Sequence, residues 1–490
     1  GLDHIDLSEF KVDMGAVGLI DIDAARRYLA VPIAFLDSRR VLLAMADPSN
    51  LLTLDDITMI TGLKASPAVA SAEDIRALLN RVRRLDESVQ DIDDATEAPD
   101  EVLDDVDQEA PAIKLVHSIL AQAVELGASD VHMDPENGEL HVLFRIDGVM
   151  HPAATISNKL ARRVVSRIKV MASLNIAERR RPQDGRLAVN VDNRRIDLRV
   201  VTLPLAEGEG IVMRVLDAGV VVRSLETLGM LPEEEHRIRS ALQRRKGAVL
   251  VTGPTGSGKS STLYAAIGEL NTGDSTIITI EDPVESRIAG VKQMPVNAKV
   301  GMTFAAGLRT MLRADPDTIM VGEIRDEETA HIAMQAAVTG HLVLSTLHTR
   351  DAPSALGRLL DMGVEPFMIA SAVDCIVAQR LLRRLCEECK RPIVFPPGVM
   401  KGSGLLDARP YEAVGCVRCG GTGYRGRVGV FEVMPMSDRL RRLVMSRGSI
   451  DEITAQASAD GMRRLREDGL EKVKAGVTSM QELGRVTSLI

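Results

Sequence analysis

Residues 248–270 read AVLVTGPTGSGKSSTLYAAIGEL: an apolar run of strand length, a glycine-rich turn and a helical stretch. Within it Gly253, Gly258, Lys259 and Ser260 fit the pattern G-x-x-x-x-G-K-[ST]. The glycines let the backbone curl until its N–H groups, and the N-terminus of the following helix, face phosphate oxygens. Lys259 is then expected to bridge the β- and γ-phosphates, and Ser260 to place its hydroxyl on Mg²⁺. The expected cradle for ATP and Mg²⁺ is thus Gly253, Pro254, Thr255, Gly256, Ser257, Gly258, Lys259, Ser260 and Ser261.

Around this stretch, the apolar runs TIITIED (276–282), TIMVGE (318–323) and HLVLSTLHT (341–349) alternate with helical segments. That alternation predicts a mostly parallel α/β sheet, running here to about residue 375. A phosphate cradle hydrolyses ATP only with a carboxylate at the end of a neighbouring strand, where it can orient water. Glu281, Asp282 and Glu285 close one run, and Glu323 closes another. His341 and His348 flank the third, where sensing of the γ-phosphate or a subunit contact is expected.

Residues 1–85 read as a small α/β module, with apolar runs VPIAFL and RRVLLAMADP and a helix beginning at SAEDIRALL, where Ser71 can cap. Positions 86–109 then hold twelve acids and no Lys or Arg, so 86–110 is expected to be a flexible acidic tether. A second domain, 111–222, combines helices with alternating strands such as ELHVLFRIDG, the turns ENGE and DNRR suiting hairpins. The P-loop domain is placed at 223–375, a cysteine-bearing subdomain at 376–435 and a charged helical tail at 436–490.

Hydrophobic residues make up 45% of the 490 and aromatics only 2%, so the cores are expected to be aliphatic. The formal charge of −9 resides in the acidic tether, which leaves the folded parts near neutral and argues against a nucleic-acid protein built on a basic field. With five Cys and no leader of the exported type, the expected compartment is the reducing cytoplasm. The longest apolar stretch, FMIASAVDCIVAQRLL, is interrupted by Asp374 and Gln379 and is too short to span a bilayer. Membrane contact is therefore expected to be peripheral. The start at Gly1 instead of Met leaves a missing upstream piece as an expectation.

Four of the cysteines form the pairs Cys386/Cys389 and Cys416/Cys419, 26 residues apart. Two C-x-x-C knuckles suit tetrahedral Zn²⁺, and four thiolates leave no open position for water, which makes the expected zinc structural. A redox reading leaves the second pair unexplained. Cys375 is read as an inert buried thiol in a helix SAVDCIVAQRLL.

The segments GPTGSGKSSTLYA, TIEDPVE, LRADPDTIMVGEIRDEETA and TGHLVLSTLHT resemble, in order and spacing, the Walker A, Asp box, Walker B and His box of the ATPases that drive type II secretion and type IV pilus assembly. The resemblance extends upstream through ASDVHMDP, FRIDGV and RPQDGR. It implies a RecA-like ATPase domain, a PAS-like α+β second domain and a tetracysteine insertion found in extension and secretion members. It further implies a homo-hexamer at the cytoplasmic face of the inner membrane. Its partners would be a platform membrane protein and a cytoplasmic recruiting protein, with pilins or pseudopilins as indirect clients.

By motif position Glu323 is the glutamate that polarises water and Glu285 the Asp-box acid, while Arg186 and Arg199 match phosphate-contacting arginines. The chain departs from the pattern in three places: Arg350 stands where Asn is usual, Ser261 replaces a Thr, and the first module starts without the helical leader of pilus-assembly members. A cyclic di-GMP-responsive regulatory module, with Arg26 and Arg27 facing a phosphate, is the alternative from another class. A DNA-uptake pilus motor is the alternative client.

Overall fold

The computed structural model describes residues 4–5, 7, 14–17, 19–20, 22–37, 40–76, 78–79, 105–191, 194–216, 224–394, 409–416, 419 and 421–487. In the first module Ala30–Asp37, Arg40–Met45 and Lys64–Val69 form a three-stranded sheet, antiparallel and then parallel. The parallel step requires a crossover, supplied by helix Leu51–Thr61. Asn50 starts that helix by accepting the Thr53 N–H at 3.3 Å, and the Ser71 hydroxyl likewise accepts the Asp74 N–H at 3.0 Å, the cap its sequence predicts.

The second domain is a six-stranded antiparallel sheet whose two helices, Asp105–Glu125 and Asn158–Met171, bury an aliphatic core that includes Val116, Leu120, Val131, Val142, Ile168 and Val200. The ENGE hairpin turns through Asn137 and Gly138, both left-handed at φ 53° and 81°, as a two-residue turn demands. Helix Asp105–Glu125 starts five residues earlier than the end assigned to the tether. The rest of the tether, 86–104, lies outside the described residues.

The P-loop domain is built on a seven-stranded sheet with the order Lys292–Pro295, Ile277–Glu281, Thr318–Val321, Leu342–Leu347, Gly247–Thr252, Val373–Leu385, Tyr424–Pro435. The first six strands pair in parallel. Successive side chains enter two different cores: Ala248, Leu250, Val343 and Ile376 join one, while Val249, Val251, Leu344 and Val377 join the other. The sheet is therefore covered on both faces, as parallel sheets are.

Two expectations change here. The stretch around Cys375 is a strand, Val373–Leu385, and not a helix: burial on both faces makes an apolar run continuous and erases the period-2 signal. The sheet also reaches past 375 and regains Tyr424–Pro435, so the cysteine module is an insertion between two of its strands rather than the whole of 376–435. Helices Asp438–Met445, Ile450–Ala459, Leu465–Lys474 and Met480–Thr487 follow, two of them capped by Ser437 and Ser449.

Candidate active site

Parallel strands end on the same edge of a sheet, so the topology alone gathers Glu281, Glu323, His348, Gly253 and Arg380 at one edge. The phosphate loop leaves strand Gly247–Thr252 at Gly253 and becomes helix at Lys259. Any Cβ at Gly253 would stand 2.5 Å from the Ser257 hydroxyl and 2.6 Å from the Gln379 carbonyl, so only glycine permits this approach. Gly258, left-handed at φ 87°, turns the chain into the helix.

The Lys259 ammonium lies inside the curl of the loop and donates to the carbonyls of Gly253 at 2.9 Å and Pro254 at 3.0 Å. Burial pulls it down to about 8, against the attraction of Glu323 and with the repulsion of Arg380. Ser260 follows at the exposed start of the helix. The Ser257 hydroxyl is buried and has no hydrogen-bond partner.

Glu323 stands two residues beyond strand Thr318–Val321 and His348 one residue beyond Leu342–Leu347. A Glu323 carboxylate oxygen lies 2.5 Å from the Arg325 guanidinium, and the other lies 3.5 Å from His348 Nε2. Burial, then the charge of Lys259, lowers the pKa of His348, so the imidazole is neutral near pH 7. Thr252 Oγ1 and Thr349 Oγ1, 2.7 Å apart, zip the strand before the phosphate loop to the turn after His348. In that turn it is the carbonyl of Arg350 that accepts a hydrogen bond, which any residue supplies; the departure from Asn leaves this contact intact.

His341 does not join the site. Gly247 pairs with Leu342, and the Gly247 N–H reaches the His341 carbonyl at 3.1 Å, so His341 sits at the opposite edge of the sheet from the phosphate loop. Its Nδ1 is 3.1 Å from the Ala336 carbonyl. The six residues Leu342–Leu347 of extended chain separate the two edges, about 20 Å. Glu281 is buried, receiving hydrogen bonds from Tyr264, from Thr279 at 2.5 Å and from Gln293 at 3.1 Å, whereas Glu285 lies on the exposed loop that follows. The Tyr264 hydroxyl accepts the Glu285 N–H at 3.3 Å and thereby positions that loop.

In the second domain Arg186 and Arg199 are direct cross-strand partners, Arg199 pairs in turn with Arg214, and Arg214 with Asp130. Like charges placed directly opposite one another are destabilising. Asp184 offsets this by accepting from Arg199 at 2.6 Å, and buried Asp130 by accepting from Arg214 at 3.0 Å. Arg214, Arg325, Gln379 and Arg380 escaped the sequence reading. A signal existed for Arg325, two residues after Glu323, but the last pair lay in a run read as helix. In the first module Arg26 and Arg27 occupy the last turn of helix Ile22–Tyr28, where cations meet the negative end of the dipole.

The four cysteine sulfurs lie within 4.8 Å of one another, with Cys386–Cys416 at 3.8 Å, Cys389–Cys419 at 3.9 Å and Cys416–Cys419 at 3.8 Å. A tetrahedron with Zn–S bonds of about 2.3 Å has edges of about 3.8 Å. The N–H groups of Gly415, Cys416 and Gly423 donate to the sulfurs at 3.2–3.3 Å, as suits thiolates. The donor set and its spacing fit zinc.

The model of the type II/IV secretion system protein family matches residues 105–485, and that of the MshEN domain matches residues 1–89. The type IV pilus assembly ATPase PilB of Myxococcus xanthus is 42% identical over 99% of this chain and 88% of its own. The type II secretion system ATPase E of Vibrio cholerae is 42% identical over 95% of this chain and 93% of its own. Among solved structures, the pilus retraction motor PilT with bound ADP shares the fold at TM-score 0.52 and 24% identity, over 76% of this chain and 96% of that one. The Legionella pneumophila ATPase DotB shares it at TM-score 0.56 and 22% identity, over 76% and 95%.

Proposed function

This chain belongs to the type II/IV secretion system protein family, and we propose that it is a hexameric motor in which ATP hydrolysis drives the assembly of pilin or pseudopilin subunits. It is an ATPase of the secretion and pilus-assembly class. The observation that carries the catalytic reading is the meeting, at one sheet edge, of the Lys259 loop with the Glu323–His348 pair.

In this reading Lys259 and the loop N–H groups bind the β- and γ-phosphates, and the Ser260 hydroxyl would hold Mg²⁺, which would supply Lewis acidity when bound. Glu323 takes a hydrogen bond from the attacking water and aligns it. Neutral His348 fixes the carboxylate without neutralising it, and Arg325 holds the second oxygen. By motif position Arg186 and Arg199 are the proposed phosphate-contacting arginines, whose guanidinium planes would suit a spreading phosphoryl charge. Glu285, on the loop held by Tyr264, is the second acid.

Zinc held by Cys386, Cys389, Cys416 and Cys419 would staple an insertion whose buried cluster, among the described residues, is the cysteines themselves, and its four thiolates leave it no catalytic position. Equal identity to a pilus and a secretion relative leaves both clients within the proposal. The tetracysteine module favours extrusion of subunits over their retraction. Among the described residues no helix is long and apolar enough to cross a membrane, and the motor is proposed to work at the cytoplasmic face of the inner membrane through a platform membrane protein and a recruiting protein.

Light scattering of the full chain with a non-hydrolysable ATP analogue tests the ring. Six-subunit particles are expected, and a monomer at every concentration would remove the hexamer. Loss of surface pili or of secreted proteins in a deletion strain assigns the client, and loss of neither would overturn the assembly role.

A further inference from the structure

Strand Val373–Leu385 runs beside the strand that feeds the phosphate loop, with Ala378 opposite Thr252, so Gln379 and Arg380 emerge beneath the loop itself. Gln379 is buried, and its amide oxygen accepts the Thr262 hydroxyl at 2.6 Å, on the helix that the loop opens. Its carbonyl lies beneath Gly253 and accepts Arg380 Nη1 at 2.8 Å. The other arm of the same guanidinium, Nη2, donates to the Arg350 carbonyl at 2.6 Å, two residues beyond His348.

Arg380 is 8% exposed, and the cation lies in the field of two buried carboxylates, Asp351 and Glu432. Both acids are engaged elsewhere: Asp351 caps Ser354 at 2.9 Å, and Glu432 receives Ala352 and Arg464 at 3.0 Å each. A desolvated guanidinium whose two arms end on main-chain carbonyls is a costly way to hold a fold. It is an effective way to fix two backbone segments at a set distance, because the planar fork reaches both at once.

We infer that Arg380 is a positioning residue for hydrolysis: it ties the floor of the phosphate loop to the turn that carries His348, so that the loop and the Glu323–His348 pair keep one geometry. A shift of about 1 Å between the γ-phosphate and the group aligning the water suffices for about a hundredfold loss of rate. Nucleotide affinity depends on the loop and Lys259, which Arg380 does not hydrogen-bond. The inference rests on the proposed role of Glu323.

The test is steady-state ATPase turnover and nucleotide dissociation constants for the full chain and its Arg380→Gln, Arg380→Lys and Arg380→Ala variants. In Arg380→Gln, kcat is expected to fall by about a hundredfold while the dissociation constant for ATP stays within about threefold. Lysine keeps the charge and loses the fork, so Arg380→Lys is expected to stay below about a tenth of the parent rate. Guanidinium added below denaturing concentration is expected to raise the turnover of Arg380→Ala and of no other protein in the set. The inference is overturned if Arg380→Lys turns over like the parent, or if kcat and affinity fall together. Should Arg380→Gln fail to fold, Arg380→Lys carries the same split. Failure of the Glu323 role reads out separately, as undiminished turnover in Glu323→Gln.

Discussion

His348 Nε2 lies 3.5 Å from a carboxylate oxygen of Glu323, each residue just past the C-terminal end of its own strand. Burial, then Lys259, lowers the imidazole pKa, which favours the neutral form and suits the proposed role of His348 in orienting the carboxylate without discharging it. His348→Ala is expected to lower kcat by about tenfold to a hundredfold, with ATP affinity within a few fold. Single-turnover kinetics beside equilibrium nucleotide binding check this, and a loss confined to affinity contradicts it.

Gly253→Ala tests the close approach under the loop. The added methyl meets the Gln379 carbonyl at 2.6 Å, main chain that cannot swing aside, so the loop must move. Overpacking of this kind costs about 1–3 kcal/mol. The variant is expected to stay folded and to lose nucleotide binding by at least about tenfold in calorimetric titration.

The cysteine module should hold one tightly bound zinc per chain. Titration with a mercurial in the presence of a chromogenic zinc indicator is expected to release one equivalent, and Cys416→Ser to prevent its retention. Four freely titrating thiols with no metal in protein purified without added zinc would contradict the site.

Glu234 carries a pH dependence. Its Oε2 accepts the Leu231 N–H at 3.0 Å, while its buried Oε1 has no partner. Burial, then the neighbouring Asp468, raises its carboxyl to about 7, against Lys472 and Arg463. A folded pKa raised above the unfolded one contributes stability that is complete below about 4.5 and is lost as pH rises through about 7. Glu234→Gln keeps the Leu231 contact and removes the titration. Relative to the parent it is expected to gain on the order of 2 kcal/mol at pH 8 and to show a flatter melting midpoint between pH 5 and 8. Parallel pH profiles for both proteins would contradict this.

The phosphate loop was legible because its demands are local: two glycines, a lysine and a hydroxyl at fixed spacing between a strand and a helix. Glu323 and His348 were legible as residues closing apolar runs, and the four cysteines by spacing. His341 precedes its strand and His348 follows it, so the two lie at opposite edges of the sheet; the parallel pairing with Gly247–Thr252 is what puts His348, and not His341, beside the phosphate loop. Arg380 was hidden for another reason. A strand buried on both faces reads as unbroken apolar sequence, so neither its type nor the direction of its polar exceptions is encoded in a period.

The central claim is that Glu323 aligns the water that attacks an ATP held by the Lys259 loop. Turnover and bound nucleotide measured together in Glu323→Gln test it most directly. The variant, which removes only the charge, is expected to lose about a hundredfold or more in kcat and to retain ATP at parental affinity. Turnover close to that of the parent enzyme, with ATP equally well bound, would contradict it.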